Sequence, residues 1–109
     1  MAKDSLHNKS IIVTGGGSGI GLGAAKYFVD LGARVTLCGR RALKIESAID
    51  KLGSNAMGLV ADVTIEADRK RLVESAVAHG GGIDALVNNA GNMYRGAITD
   101  LDEEKLQDI

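Results

Sequence analysis

The sequence predicts an α/β fold in which a parallel sheet carries helices on both faces. Three observations point there. Short apolar runs alternate with longer amphipathic segments from one end of the chain to the other, the pattern of strand–helix–strand units with right-handed crossovers. The apolar runs are continuous, as suits strands covered on both sides. Between the first run and the first amphipathic segment stands Thr14-Gly15-Gly16-Gly17-Ser18-Gly19-Ile20-Gly21, with five glycines in eight positions. Glycine in such density costs backbone entropy and gives up side chains, so the bare backbone must approach something closely.

The elements follow in order. Residues 10–14 read as a buried strand. Residues 20–31 read as a helix with Ile20, Ala24, Phe28 and Leu31 on one face, at spacings of a helical stripe. Gly32 sits where a helix C-terminal glycine belongs. Residues 34–38 form a second strand and 42–52 a second helix ending at Gly53; 56–61 form a third strand. Thr64 can cap a third helix running to about His79, with Leu72, Val73, Ala76 and Val77 inward and Gly80-Gly81-Gly82 after it. Residues 83–88 form a fourth strand, and Asp102 can cap a last helix cut at Ile109. The expectation is one domain over residues 1–109, incomplete at its C-terminal end, with no linker, repeat or low-complexity segment.

Composition narrows the function. The 109 residues suffice for one core. Thirteen basic against 14 acidic residues leave a formal charge of -1, which offers no electrostatic footprint for nucleic acid or a membrane surface. Tyr27, Phe28 and Tyr94 are the only aromatics, too few for a base-stacking platform. Cys38 is the single cysteine; it cannot form an intrachain disulfide, makes no metal cluster with others, and reads as a buried inert thiol. No apolar stretch approaches the roughly 20 residues that span a bilayer, and residues 1–7 hold no apolar signal core. A cytoplasmic location is the expectation.

The glycine loop lies where a doubly wound sheet binds a phosphate group, between the first strand and the first helix. There the helix offers unpaired N–H groups and the positive end of its dipole, and glycines remove the Cβ atoms that would hold a pyrophosphate away. The same glycines also suit a flexible turn or close helix–strand packing. A P-loop is excluded, because Gly19-Ile20-Gly21-Leu22 stands where Gly-Lys-Ser/Thr is required. The spacing that fits is G-x-x-x-G-x-G, through Gly15, Gly19 and Gly21.

That spacing after Thr14 resembles the T-G-x-x-x-G-x-G motif of the short-chain dehydrogenase/reductase family. Asn88-Asn89-Ala90-Gly91 is similar to the family's N-N-A-G motif, and Asp62-Val63 to its adenine-contacting D-V pair. Each motif falls at the carboxyl end of an expected strand, and the resemblance covers about residues 9–109. It implies a Rossmann-type sheet of about four strands in the order 3-2-1-4. It also implies that Ser18 lies near the cofactor phosphates, that Ile20 supplies a backbone N–H there, and that Ala90 and Gly91 leave room for the nicotinamide ribose. Plainer roles stand beside these: Asn88 and Asn89 could tie neighbouring strands together, Asp62 could cap the turn into the third helix, and Ser18 could be a turn residue.

The second strand ends Leu37-Cys38-Gly39-Arg40-Arg41. NAD sites hold an acid about 20 residues past the glycine loop for the ribose 2′-OH; that position here is Gly39. Arg40 follows, and a guanidinium pairs well with a 2′-phosphate. The expected cofactor is therefore NADP(H) rather than NAD(H), with Arg40 and Arg41 at its phosphate or, alternatively, as a solvated start to the second helix. The resemblance implies hydride transfer between nicotinamide and a carbonyl/alcohol substrate, and dimers or tetramers. Such chemistry uses a Ser and a Tyr-x-x-x-Lys pair. Four residues after Tyr27 is Leu31 and four after Tyr94 is Ile98, so no catalytic residue is assigned. His7, in the N-terminal stretch, and His79, at a helix end, have plain readings. The second hypothesis is a non-catalytic nucleotide-binding module. A methyltransferase is disfavoured by Gly39, where it would want an acid, and by the N-N-A-G run.

Overall fold

The computed structural model describes residues 5–17 and 19–89; the helix expected from Asp102 lies outside them. The elements are β1 (Ser10–Thr14), α1 (Gly19–Asp30), β2 (Arg34–Gly39), α2 (Ala42–Leu52), β3 (Ala56–Val60), α3 (Glu66–Gly80) and β4 (Ala85–Asn88). The strands pair in parallel in the order β3-β2-β1-β4, the order the resemblance implied.

Strand alternation divides the core between two layers. Ile11, Val13, Val35 and Leu37 project to one face and pack with Ala25 of α1 and Ile45, Ala48 and Leu52 of α2. Ile12 and Cys38 project to the other and pack with Leu72 and Ala76 of α3. Each large apolar side chain so buried contributes about 1.5–3 kcal/mol. In α2 the spacing of Ile45, Ala48, Ile49 and Leu52 makes the inward stripe. Gly32 and Gly53 follow α1 and α2 with φ of 96° and 87°, where their positions placed them.

Three local differences from the sequence reading have physical causes. In α1 the inward face is Gly21 and Ala25, joined by Leu22, Phe28 and Val29, whereas Ile20 is 82% exposed. The small Gly21 brings the helix onto the strand end, and a residue one position earlier is turned about 100° away. β4 begins at Ala85 rather than 83 because Asp84 closes a local ring with Ser10. Its N–H donates to the Ser10 carbonyl at 2.8 Å, and its carboxylate accepts from the Ser10 N–H at 2.8 Å. α3 starts from Ile65, which supplies no side-chain cap; Thr64 instead gives its hydroxyl to Asp62. Inward on α3 are Leu72, Ala76 and also Arg69, while Val77 is exposed.

Candidate functional site

Parallel pairing aligns all four carboxyl ends. Thr14 stands opposite Cys38 on one side and Asn88 on the other, and Gly39 stands opposite Val60. The segments after Thr14, Gly39, Val60 and Asn88 therefore leave the sheet along one edge, which is where open α/β sheets bind ligands. Gly15, Arg40, Asp62 and Asn89, far apart in sequence, emerge there together. Ser18, Ala90, Gly91 and Tyr94 lie outside the described residues.

In the glycine loop the residues divide by the reason each lacks a side chain. A Cβ at Gly21 would lie 2.2 Å from the Gly15 carbonyl oxygen and 2.8 Å from Asn89 Nδ2, so Gly21 is there for close approach of α1 to the strand end. Gly16 lies against Leu37 and Gly17 against Lys44. Gly15 and Gly19 have φ of 66° and 60°, a region that strains other residues. Among the described residues nothing lies within 4 Å of the absent Cβ of Gly19. Packing therefore explains Gly16, Gly17 and Gly21, whereas the bare backbone of Gly19, at the start of α1, meets none of the described residues. That helix has no acidic residue in its first turn, and its leading N–H groups carry the positive end of the dipole.

The loop is braced from behind. The Gly16 N–H donates to the Cys38 carbonyl at 3.2 Å. The Asn89 amide Nδ2 donates to the Gly15 carbonyl at 3.3 Å, and the Asn89 N–H donates to the Thr14 hydroxyl at 2.9 Å. That hydroxyl donates in turn to Asn88 Oδ1 at 3.0 Å. The strand-tying role foreseen for Asn88 and Asn89 is thus present: Asn88 holds the Thr14 hydroxyl at the end of β1, and the Asn89 side chain holds the backbone of the glycine loop. Cys38 is buried; burial pushes its thiol up to about 11, against a smaller lowering by hydrogen bonding with the Gly15 backbone. The thiol is neutral at physiological pH and serves as packing.

On the strand next to β1, Gly39 ends β2 with its absent Cβ 3.1 Å from Ile45 Cδ1. Arg40 and Arg41 follow, both exposed, and Arg41 is the N-cap residue of α2. Asp62 Oδ1 accepts from the Thr64 hydroxyl at 2.6 Å and the Thr64 N–H at 2.9 Å. The Thr64 side chain and backbone hydrogen bonds, with the nearby Arg40 charge, hold the Asp62 carboxyl below its ordinary range, so it is ionised at neutral pH. Asp62 does shape the turn into α3, the plainer role considered for it, while Val63 presents its carbonyl to Arg69 Nη1 at 2.9 Å.

Two sets of side chains that brace this edge carry little signal in the sequence. Thr14 was noted only as the motif's first letter, yet its hydroxyl joins β1 to the Asn88-Asn89 segment. Asp68, Arg69 and Arg71 are given no role by the sequence pattern. The available signal was an acid in a helix first turn six residues after Asp62. Among the described residues, no group of three His, Cys, Asp or Glu is placed to hold a metal ion, and no helix is long and apolar enough to cross a membrane.

A four-stranded parallel sheet in this order, with helices on both faces and a glycine loop at its carboxyl edge, defines a Rossmann-type α/β protein. Comparison with known proteins places it further. Residues 9–109 match the short chain dehydrogenase family, and the chain belongs to that family of oxidoreductases. It is 37% identical over 86 residues to the 3-phenylpropionate-dihydrodiol/cinnamic acid-dihydrodiol dehydrogenase of Escherichia coli, covering 79% of this chain and 32% of that protein. The chain thus spans about a third of the length of the curated relatives it matches. A 3-ketoacyl-(acyl-carrier-protein) reductase from Brucella melitensis, solved with NADH, shares 38% identity at a TM-score of 0.73, over 75% of this chain and 34% of its own. An actinorhodin polyketide ketoreductase with NADPH shares 36% identity at a TM-score of 0.73, over 77% and 33%.

Proposed function

We propose that this single domain binds a nicotinamide dinucleotide, NADP(H) in preference to NAD(H), and serves an oxidoreductase acting on a small carbonyl/alcohol pair. The observation that carries the reading is the alignment of strand ends, which brings the bare Gly19 backbone, the Arg40–Arg41 pair, Asp62 and the Asn89 brace to one edge of the sheet. The fit to a dinucleotide rests on two observations among the described residues: none comes within 4 Å of a Cβ at Gly19, and the first turn of α1 holds no acid. Gly15, Ser18, Gly19, Ile20 and Gly21 would hold the diphosphate through backbone N–H groups. Asp62 and Val63 would border the adenine, and Asn89, Ala90 and Gly91 the nicotinamide ribose. When bound, the nicotinamide supplies or accepts hydride. The relatives solved with NADH and with NADPH support the cofactor class.

The preference for NADP(H) rests on charge. The family position for a ribose-binding acid is Gly39, and two guanidinium groups follow it. Asp62 is an acid near Arg40, but both its bonds from Thr64 fall on Oδ1, which turns that oxygen toward the start of α3. The test is the dissociation constants of NADPH and NADH for the chain and for Arg40→Ala. The chain should bind NADPH more tightly, and Arg40→Ala should weaken NADPH about 10- to 100-fold, the worth of a charge-assisted hydrogen bond. NADH should change by less than about threefold. Equal binding of the two cofactors by the unaltered chain would end the claim.

A second reading is a nucleotide-binding module without turnover. Cofactor binding without hydride transfer to any carbonyl substrate would select it. A cytoplasmic location and a homo-oligomeric enzyme belong to the first reading.

A further inference from the structure

We propose that Asp68, Arg69 and Arg71, in the first two turns of α3, are positioning residues for the adenine end of the cofactor. They fasten the backbone of residues 60–63 so that Asp62 stands in one conformation before a ligand arrives. The inference rests on the dinucleotide reading above.

The fastening is specific at each point. Arg71 Nη2 donates to the Val60 carbonyl at 3.0 Å. Asp68 Oδ2 accepts from the Asp62 N–H at 2.8 Å. Arg69 Nη1 donates to the Val63 carbonyl at 2.9 Å. Asp68 Oδ1 accepts from Arg71 Nη2 at 3.1 Å, linking two of the three clasps, and the Ala61 N–H donates to the Gly39 carbonyl at 2.9 Å, tying the turn to the end of β2. Four consecutive helical residues thus supply three side chains, all directed at the last residue of β3 and the turn that follows it.

Ordinary helix chemistry does not require this. An acid in the first turn is favourable for the dipole wherever it points, and Glu66 already meets that need. A capping-box acid would reach back to the N-cap N–H; Asp68 reaches past Ile65 to Asp62. Arg69 is only 9% exposed, and burial of a guanidinium is unfavourable unless hydrogen bonds offset it. Asp68 is held below the ordinary carboxyl range by hydrogen bonding, first from the Asp62 backbone and then from Arg71. What the clasps deliver is an Asp62 whose Oδ1 is engaged by Thr64 and whose Oδ2 has no hydrogen-bond partner among the described residues. A backbone held in place beforehand reduces the ordering cost of binding.

The experiment measures binding of NADPH, 2′,5′-ADP and NMNH to the chain and to Asp68→Ala and Asp68→Asn, with hydrogen exchange at the Asp62 amide. Asp68→Ala should weaken NADPH and 2′,5′-ADP about tenfold, leave NMNH within about twofold and speed exchange at Asp62. Asp68→Asn, which keeps an oxygen acceptor, should stay within about threefold of the unaltered chain. A merely structural role would weaken NMNH as much as 2′,5′-ADP, and that result, or unchanged NADPH binding by Asp68→Ala, would overturn the proposal. An unaltered chain that is folded yet binds none of the three ligands would overturn the dinucleotide reading itself.

Discussion

Replacing Gly21 with Ala is expected to weaken NADPH binding by about ten- to a hundredfold, the worth of about 1.5–3 kcal/mol of hydrogen bonding to a charged group, and to destabilise the fold by about 1–3 kcal/mol. The added Cβ would sit 2.2 Å from the Gly15 carbonyl oxygen and 2.9 Å from its carbon. Neither is a flexible side-chain end that could swing aside. The start of α1 must lift from the end of β1, and the N–H groups at its front move with it. The Asn89 amide, 2.8 Å from the same Cβ, is pushed off the Gly15 carbonyl, so the brace between β4 and the loop fails together with the helix contact. Gly23→Ala is the control. A Cβ there meets none of the described residues within 4 Å, and removing glycine from a helix interior should stabilise by about 0.5–1 kcal/mol. Titration calorimetry and urea unfolding of both variants check the pair, and equal, mild effects would show that close approach at Gly21 is not what the loop depends on.

Leu37→Ala is expected to lose about 2–5 kcal/mol of stability, the range for a buried leucine that leaves a cavity. Leu37 is fully buried in the middle of the α1/α2 layer, on a strand flanked by β1 and β3. Its side chain also forms the floor under Gly16, where a Cβ would lie 2.7 Å from Leu37 Cδ2. The loss should therefore appear both as a lower urea midpoint and as a looser glycine loop. Added NADPH should recover part of the melting temperature in proportion to its occupancy of the folded state. A loss below about 1 kcal/mol would mean that the layer collapses to fill the space, contrary to the close packing described above.

The architecture was largely legible because the information for it is local. Residues 10–14 and 42–52 are apolar in the period of their elements, and glycines mark the ends of α1 and α2, so their bounds could be read directly. The edge on which Gly15, Arg40, Asp62 and Asn89 meet was legible for a related reason: parallel strands put successive carboxyl ends on one side. What could not be read was tertiary. Whether Ile20 or Gly21 faces the sheet is decided by how closely α1 meets the Gly15 carbonyl. Asp84 leaves the ladder because its side chain finds Ser10, 74 residues away. Asp68 and Arg69 carry no signal in the sequence because their partners, the Asp62 N–H and the Val63 carbonyl, become neighbours only when the turn has closed. The Thr14 hydroxyl is hidden in the same way, since it is satisfied by the Asn88-Asn89 segment on β4 and the residue after it.

The central claim is that bare amides at the front of α1 take up the diphosphate of a nicotinamide dinucleotide. Titrating the 15N-labelled, folded chain with NADPH tests it most directly. The amide resonances of Gly15, Gly19, Ile20 and Gly21 should move and saturate together, with those of the α2–β3 connection around Asn55 unmoved. Loop amides that stay in place while NADPH is raised well past its expected affinity, in a sample whose spectrum remains that of a folded protein, would contradict it.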